Sequence, residues 1–312
     1  RQRRTEEDRG FIAQPSTREL GSCFSFREVH MADEQAEGAE RSNGEVGDGR
    51  TNNPGVESED GLPTSLAGLL AEGQRLYTEI SAGGHVDGES NKEEAVARAS
   101  AALCKLQQGI SREGLFSSNE EADDVPTECL PLLATEFYLG SLQLKLPFRG
   151  HDARLRSLER AQALLSHFLE TCARMEIMGE EDVSAWMAFQ AHVDAAREDD
   201  EGTGHVKALN GRDEKIRRFR RQKATRQRMH QITEELSRNA LENKNRGGGG
   251  GDGVGGDEPW QAVGDEALRR EKAMLLLDSL ASEALDELAS LNKETLLLRS
   301  MARDGAGPGW SG

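Results

Sequence analysis

Arg212–Arg228 reads RDEKIRRFRRQKATRQR. It concentrates Lys215, Arg217, Arg218, Arg220, Arg221, Lys223, Arg226 and Arg228 in a chain whose formal net charge is −17. Helix formers fill the stretch, and no Gly or Pro interrupts 212–241, so it predicts one helix. Ile216 and Phe219, then Met229, Ile232, Leu236 and Ala240, draw a narrow apolar stripe along it. A stripe this thin does not make a core helix: one edge is expected to pack and the rest to face solvent or a partner. A dense positive helix inside a strongly acidic protein suggests a contact surface for an acidic partner.

Outward from this helix, every ordered segment is again helical. On the N-terminal side, the polar run 198–211 predicts a loop that delivers the basic helix, and a short helix over about 182–197 precedes it. Leu155, Leu158, Ala161, Leu165, Phe168, Leu169 and Cys172 recur at the helical period over about 152–178. Before them a helix of wide apolar face is expected from near Thr127, with Pro131 in its first turn, to a stop at Pro147. Two earlier helices follow from Leu66, Leu69, Leu70, Leu76, Tyr77 and Ile80 after the start signal Pro63-Thr64-Ser65, and from Ala95, Ala99, Ala102, Leu103 and Leu106 over about 92–110. Ser117 and Glu120 have capping-box spacing ahead of a short helix or turn.

On the C-terminal side, Gly247–Gly256 is a glycine-rich spacer without the Lys-Ser/Thr of a phosphate loop. The last helix, about 265–301, repeats Leu277, Ala281, Ala284, Leu288, Leu291, Thr295 and Leu298 at a/d spacing. This is either a coiled-coil seam or a face that packs back on the bundle; the short, alanine-rich repeat favours the second. The expected organisation is a disordered acidic tail over 1–61, a helical domain over 62–246, a flexible linker over 247–264, a packed C-terminal helix over 265–303 and a loose end over 304–312. Met31-Ala-Asp-Glu reads as a translation start, so residues 1–30 are expected to be a gene-model extension. The fold class is all-α, a bundle or a tetratricopeptide-like array of antiparallel helices with no fixed repeat period.

Composition narrows the function. Aromatics are 4% and scattered, poor material for a β-sandwich or an aromatic pocket. The acidic balance argues against sequence-wide affinity for nucleic acid or anionic membrane. Cys23, Cys104, Cys129 and Cys172 show no C-x-x-C pairing and read as reduced, small apolar residues of a cytoplasmic protein, with a nuclear population also allowed. The seven histidines are dispersed, and no H-E-x-x-H, G-x-S-x-G or dinucleotide fingerprint occurs. Neither enzyme chemistry nor a cofactor or metal site is expected. The basic helix itself fits a solvated face, an RNA or nuclear-import patch, or a protein-docking surface; the RNA reading lacks interleaved aromatics.

Several ordered pieces resemble the type 2A phosphatase-associated proteins, also called the alpha-four or immunoglobulin-binding-protein-one family. They are Leu115-Phe116-Ser117 with Asn119-Glu120; Gly140 with Leu142 and Lys145; Arg154-Leu155 with Leu158, Arg160-Ala161, Phe168-Leu169 and Cys172; and Arg212, Lys215-Ile216 and Arg218-Phe219. Leu275–Leu298 keeps the family's apolar and acidic spacing, with Leu280 standing where a tryptophan is common. The resemblance covers most of 66–303. It implies a right-handed tetratricopeptide-like array that binds the catalytic subunits of type 2A and related Ser/Thr phosphatases in TOR-kinase signalling, and shelters a subunit that lacks its scaffold. The family's phosphatase-contacting Arg and Lys fall on Arg212 and Lys215, which project from one helix face. The partner-binding set expected on this basis is Arg212, Lys215, Ile216, Arg218 and Phe219, on a monomer that binds neither membrane nor nucleic acid. The alternative is a generic helical scaffold whose basic helix binds RNA or an import receptor.

Overall fold

Ser65 shows how local chemistry starts the fold: its Oγ accepts the Gly68 N–H at 3.1 Å and caps helix α1 (Leu66–Ser81). The computed structural model describes residues 61–83, 89–117, 119–148, 150–198, 212–246 and 259–305, all within one compact unit. The expectations for the acidic tail, the 1–30 extension, most of the 198–211 loop and the glycine run fall outside these residues. The remaining helices are α2 (Glu89–Glu113), α3 (Thr135–Lys145), α4 (His151–Arg174), α5 (Glu180–Glu198), α6 (Arg212–Arg246) and α7 (Pro259–Gly305). The architecture is all-α, with α1 on α2, α2 on α3, α3 on α4, and α7 running across α3, α4, α5 and α6.

Three boundaries differ from the sequence reading. The stretch 130–134 is a 3-10 turn, and the α-helix begins only at Thr135. Pro131 has no N–H for an i→i−4 bond, and the segment closes with the Leu132 N–H on the Cys129 carbonyl and the Thr135 hydroxyl on the Leu132 carbonyl. Helix α4 stops at Arg174, because Glu176 takes a positive φ of 55° and the Ile177 N–H returns to the Cys172 carbonyl. Helix α7 begins at Pro259, inside the stretch expected to be linker, with proline at its first position.

Between Leu277 and Leu291 helix α7 buries a face about half its circumference wide, formed by Leu277, Leu280, Ala281, Ala284, Leu285, Leu288, Ala289 and Leu291. A face this wide meets several neighbours, and here they are the 130–134 turn and four helices. The scattered aromatics also converge: Tyr77, Phe137, Tyr138 and Phe168 stack edge-on or tilted at centroid spacings of 5.1–6.1 Å, joining α1, α3 and α4.

Polar ties set the register of α7. Arg154 of α4 forks onto Glu294 at 2.6 and 2.8 Å, and Ser141 of α3 donates to Glu287 at 2.6 Å. The Tyr77 hydroxyl donates to Glu283 at 3.3 Å. Arg270 reaches back to the Ala122 and Val125 carbonyls and holds the short 3-10 turn at 122–124, where the Ser117 N–H meets the Glu120 carboxylate at 2.9 Å. Cys104, Cys129 and Cys172 are free thiols, and burial pushes the Cys172 thiol up.

Two stability outcomes follow from this packing. A Cβ on Gly140 would sit 2.9 Å from the buried Leu165 Cγ and 3.4 Å from the Ala161 carbonyl. Overpacking of about 1–3 kcal/mol then outweighs the helix-propensity gain of roughly 1 kcal/mol. Gly140→Ala therefore lowers the urea midpoint. Burial pushes the Glu287 carboxyl up to about 7 from an ordinary 4.5. The folded chain thus binds more protons than the unfolded one across that window, and stability falls as pH rises through it. His167 acts with the same sign at higher pH: its hydrogen bond to Glu136 raises its pKa, so its contribution is complete below the unfolded histidine value and lost above the folded one. Glu287→Gln is expected to flatten the pH dependence between 5 and 7 and to add on the order of 1–3 kcal/mol at pH 8. Urea unfolding at both ends of the range measures it.

Candidate functional site

The basic stretch is one helix, as its composition requires, and its packing edge is polar. Arg218, Thr225 and Ile232 are its buried residues, seven apart in sequence. A heptad spacing keeps one seam against one neighbour, and that neighbour is α7. The two run antiparallel: Asn239 bonds Asp265 at 2.8 Å, Arg228 forks onto Glu271 at 2.7 and 2.8 Å, Arg221 bonds Ser282 at 2.9 Å and Arg218 bonds Asp286.

Arg218 therefore departs from the expected partner-binding set. It is 1% exposed, its Nη1 donates to Asp286, and its Nε lies 3.5 Å from Asp182 Oδ1. Asp182, in the first turn of α5, is itself fully buried; it accepts from Arg221 and from the Ser282 hydroxyl at 2.5 Å. Asp278 borders the group, and burial raises its carboxyl while the nearby Arg221 charge opposes the shift. Two guanidinium groups and two carboxylates from α5, α6 and α7 thus share one site, with Arg218 and Asp182 at its buried centre and Arg221 and Asp286 at its partly exposed rim. Nothing in the local sequence signals it, because an arginine within an arginine-rich run looks solvated.

Burying Arg218 turns the neighbouring faces outward. Ile216 and Phe219, expected to begin the packing stripe, are 38% and 62% exposed. Ala240 is exposed as well, so only Ile232, with half-buried Met229 and Leu236, fulfils that expectation. Arg212, Lys215, Ile216 and Phe219 come together on one exposed face. Steps of three and four residues continue that face through Lys223 and Arg226, both exposed, which the motif alone left out. The result is a strip of cations around two apolar side chains, able to hold an acidic surface that carries an apolar patch.

Beyond Asp286, an open groove of about 370 Å³ is lined by Leu144, Arg154, Glu283, Asp286, Glu287, Ser290, Leu291 and Glu294. A raised carboxyl beside Ser141 has the outline of an acid–base pair. Yet Ser141 is fully buried and spends its proton on Glu287, so the pair ties α3 to α7. Among the described residues no group of three His, Cys, Asp or Glu is placed to hold a metal ion, and no helix is long and apolar enough to cross a membrane.

Comparison with known proteins identifies the family. The TAP42-like family model matches residues 66–309, from the first turn of α1 past the end of α7. The PP2A regulatory subunit TAP46 of Oryza sativa subsp. japonica is 27% identical over 207 residues, which is 65% of this chain and 45% of that protein. Its Arabidopsis thaliana counterpart is 30% identical over 130 residues, 42% of this chain and 28% of that protein. The chain thus spans less than half the length of the curated relatives it matches. The solved Tap42 alpha4 subunit aligns with a TM-score of 0.54 at 18% identity, over 77% of this chain and 100% of that one, a likeness of fold. With every described helix inside the matched span, the chain belongs to the TAP42-like family.

Proposed function

We propose that the chain is a non-catalytic regulatory partner of type 2A and related Ser/Thr protein phosphatases. It holds the phosphatase catalytic subunit on the exposed face of α6, preserves it before holoenzyme assembly, and acts in TOR signalling. The observation that carries this reading is the face itself: Arg212, Lys215, Lys223 and Arg226 flank Ile216 and Phe219, while the chain as a whole is strongly acidic. The names of the TAP46 relatives, which are PP2A regulatory subunits, supply the class of partner. A non-catalytic role accords with those names.

The apolar pair decides how much the cations contribute. An exposed ion pair is worth roughly 0–1 kcal/mol, whereas losing one member of a desolvated pair costs about 2–5 kcal/mol. Phe219 and Ile216 are placed to exclude water from the Arg212 and Lys215 contacts, converting the first case into the second.

Capture of a type 2A catalytic subunit by the full chain tests the reading. Arg212→Glu/Lys215→Glu is expected to abolish capture, and Phe219→Ala to weaken it by about tenfold or more, an aromatic-anchor effect. Lys223→Glu/Arg226→Glu, at the far end of the face, is expected to cost less than the first pair. A wild-type chain that is folded yet captures no phosphatase would overturn the proposal. Capture of RNA instead, with an affinity falling steeply in salt, would favour the scaffold alternative.

A further inference from the structure

We propose that Arg218 and Arg221, although they lie within the basic motif, never meet the partner. They are positioning residues that fix the rotation of α6 through an ionic latch to α5 and α7. The inference rests on the phosphatase-binding reading for its consequence and on the interior geometry for its substance.

Three observations carry it. First, the centre of the latch lies inside: Arg218, Asp182 and Ser282 are all at most 1% exposed, so a partner seated on the outer face of α6 has no access to them, while Arg221 and Asp286 close its rim and are partly exposed. Second, apolar burial alone does not choose this rotation. Ile232 is the only fully buried apolar side chain of α6, while Phe219 and Ile216 stand on a different face and are exposed. Turning α6 by about one residue, roughly 100° on a helix of 3.6 residues per turn, would carry Phe219 toward α7 and hide the docking face. Third, the latch is a poor device for stability. Arg218 Nε and Nη2, Arg221 Nε and Asp182 Oδ1 are buried without a hydrogen-bond partner. An incompletely satisfied buried network is expensive, and its best-attested use is to specify register.

The latch joins elements that the docking face does not touch. Asp182 belongs to α5, Ser282 and Asp286 to α7, and the Gly179 N–H just before α5 donates to Asp278 of α7 at 3.3 Å. A change in how α5 sits on α7 would therefore reach the orientation of Phe219 through Arg218.

Paired spin labels placed by amber suppression at Ala224 and Ser290, exposed positions on α6 and α7, read the rotation in the full chain without using its cysteines. The unaltered latch gives a narrow distance distribution. Arg218→Met and, separately, Asp182→Asn shift or broaden it at unchanged helix content. In unlabelled chains the same changes weaken capture of a type 2A catalytic subunit by about tenfold, although Asp182 is out of a partner's reach. Where either substitution unfolds the chain, Arg218→Lys keeps one positive charge without the two-carboxylate fork, and the same two readouts apply to it. Unchanged distances in all folded variants would overturn the latch. So would capture lost at an unchanged distance, which would make Arg218 a contact residue. Shifted distances in a protein whose wild type captures no phosphatase would leave the latch standing and remove the phosphatase reading.

Discussion

The meeting of Arg218 and Arg221 with Asp182, Asp286 and Ser282, buried at its centre, is the interaction on which the exposed face of α6 depends. Two tendencies compete there. Full burial of a Phe or Ile side chain is worth about 1.5–3 kcal/mol, which would draw Phe219 and Ile216 inward. Removing one member of a buried ion pair costs about 3–5 kcal/mol, because a charge such as that of the fully buried Asp182 is left behind. Phe219 is 62% and Ile216 38% exposed, so the two together have about one full side chain left to bury, and the second quantity exceeds that gain. The helix keeps its apolar surface in water because turning it in would leave Asp182 buried and unpaired.

This arrangement needs α7 to be held in place by the other helices. Helix α7 is enclosed by α3, α4, α5 and the 130–134 turn, and its small residues Ala281, Ser282 and Ala284 let neighbours approach closely. Arg154, Ser141 and Arg270, from α4, α3 and α7 itself, pin its length by directional bonds at three separate levels. Helix α6 then lies along a fixed rail. Its outer ties, Arg228 to Glu271 and Asn239 to Asp265, are solvent-accessible and contribute little singly, as exposed pairs do. Rotation is thus governed at the Arg218 end and merely guided at the other.

Much of this was legible in the sequence because helical periodicity is a local property. The apolar spacing of Leu158 to Cys172 and of Leu277 to Leu291 names residues that the structure buries, with Leu155 only half-buried, and a Gly- and Pro-free run made α6 one helix. The errors arose where something other than apolar periodicity decides. Pro131 tightened a turn that periodicity reads as α-helix, and Glu176 ended α4 through backbone geometry that no apolar pattern records. Within the candidate site, spacing placed Arg212, Lys215, Ile216 and Phe219 together. It could not tell Arg218 from its neighbours, since the difference is a pair of aspartates contributed by two other helices. Conversely, Lys223 and Arg226 were within reach of spacing alone, which places them on the same face as Phe219.

Charge adds a constraint of its own. A chain of net charge −17 repels an acidic partner as a whole and attracts it along one strip of α6. At physiological ionic strength the Debye length is about 8 Å, so the bulk repulsion is largely screened until the surfaces nearly touch, and local charge then dominates. Elsewhere the chain presents an acidic groove around Glu283, Glu287 and Glu294. An approach onto Arg212, Lys215, Lys223 and Arg226 meets opposite charge with Phe219 at its centre. The acidity of the rest of the chain therefore sharpens orientation more than it weakens binding, as charge complementarity generally does. Hiding Arg218 still leaves the outer face Arg212, Lys215, Lys223 and Arg226, and the inner one has carboxylates that need it.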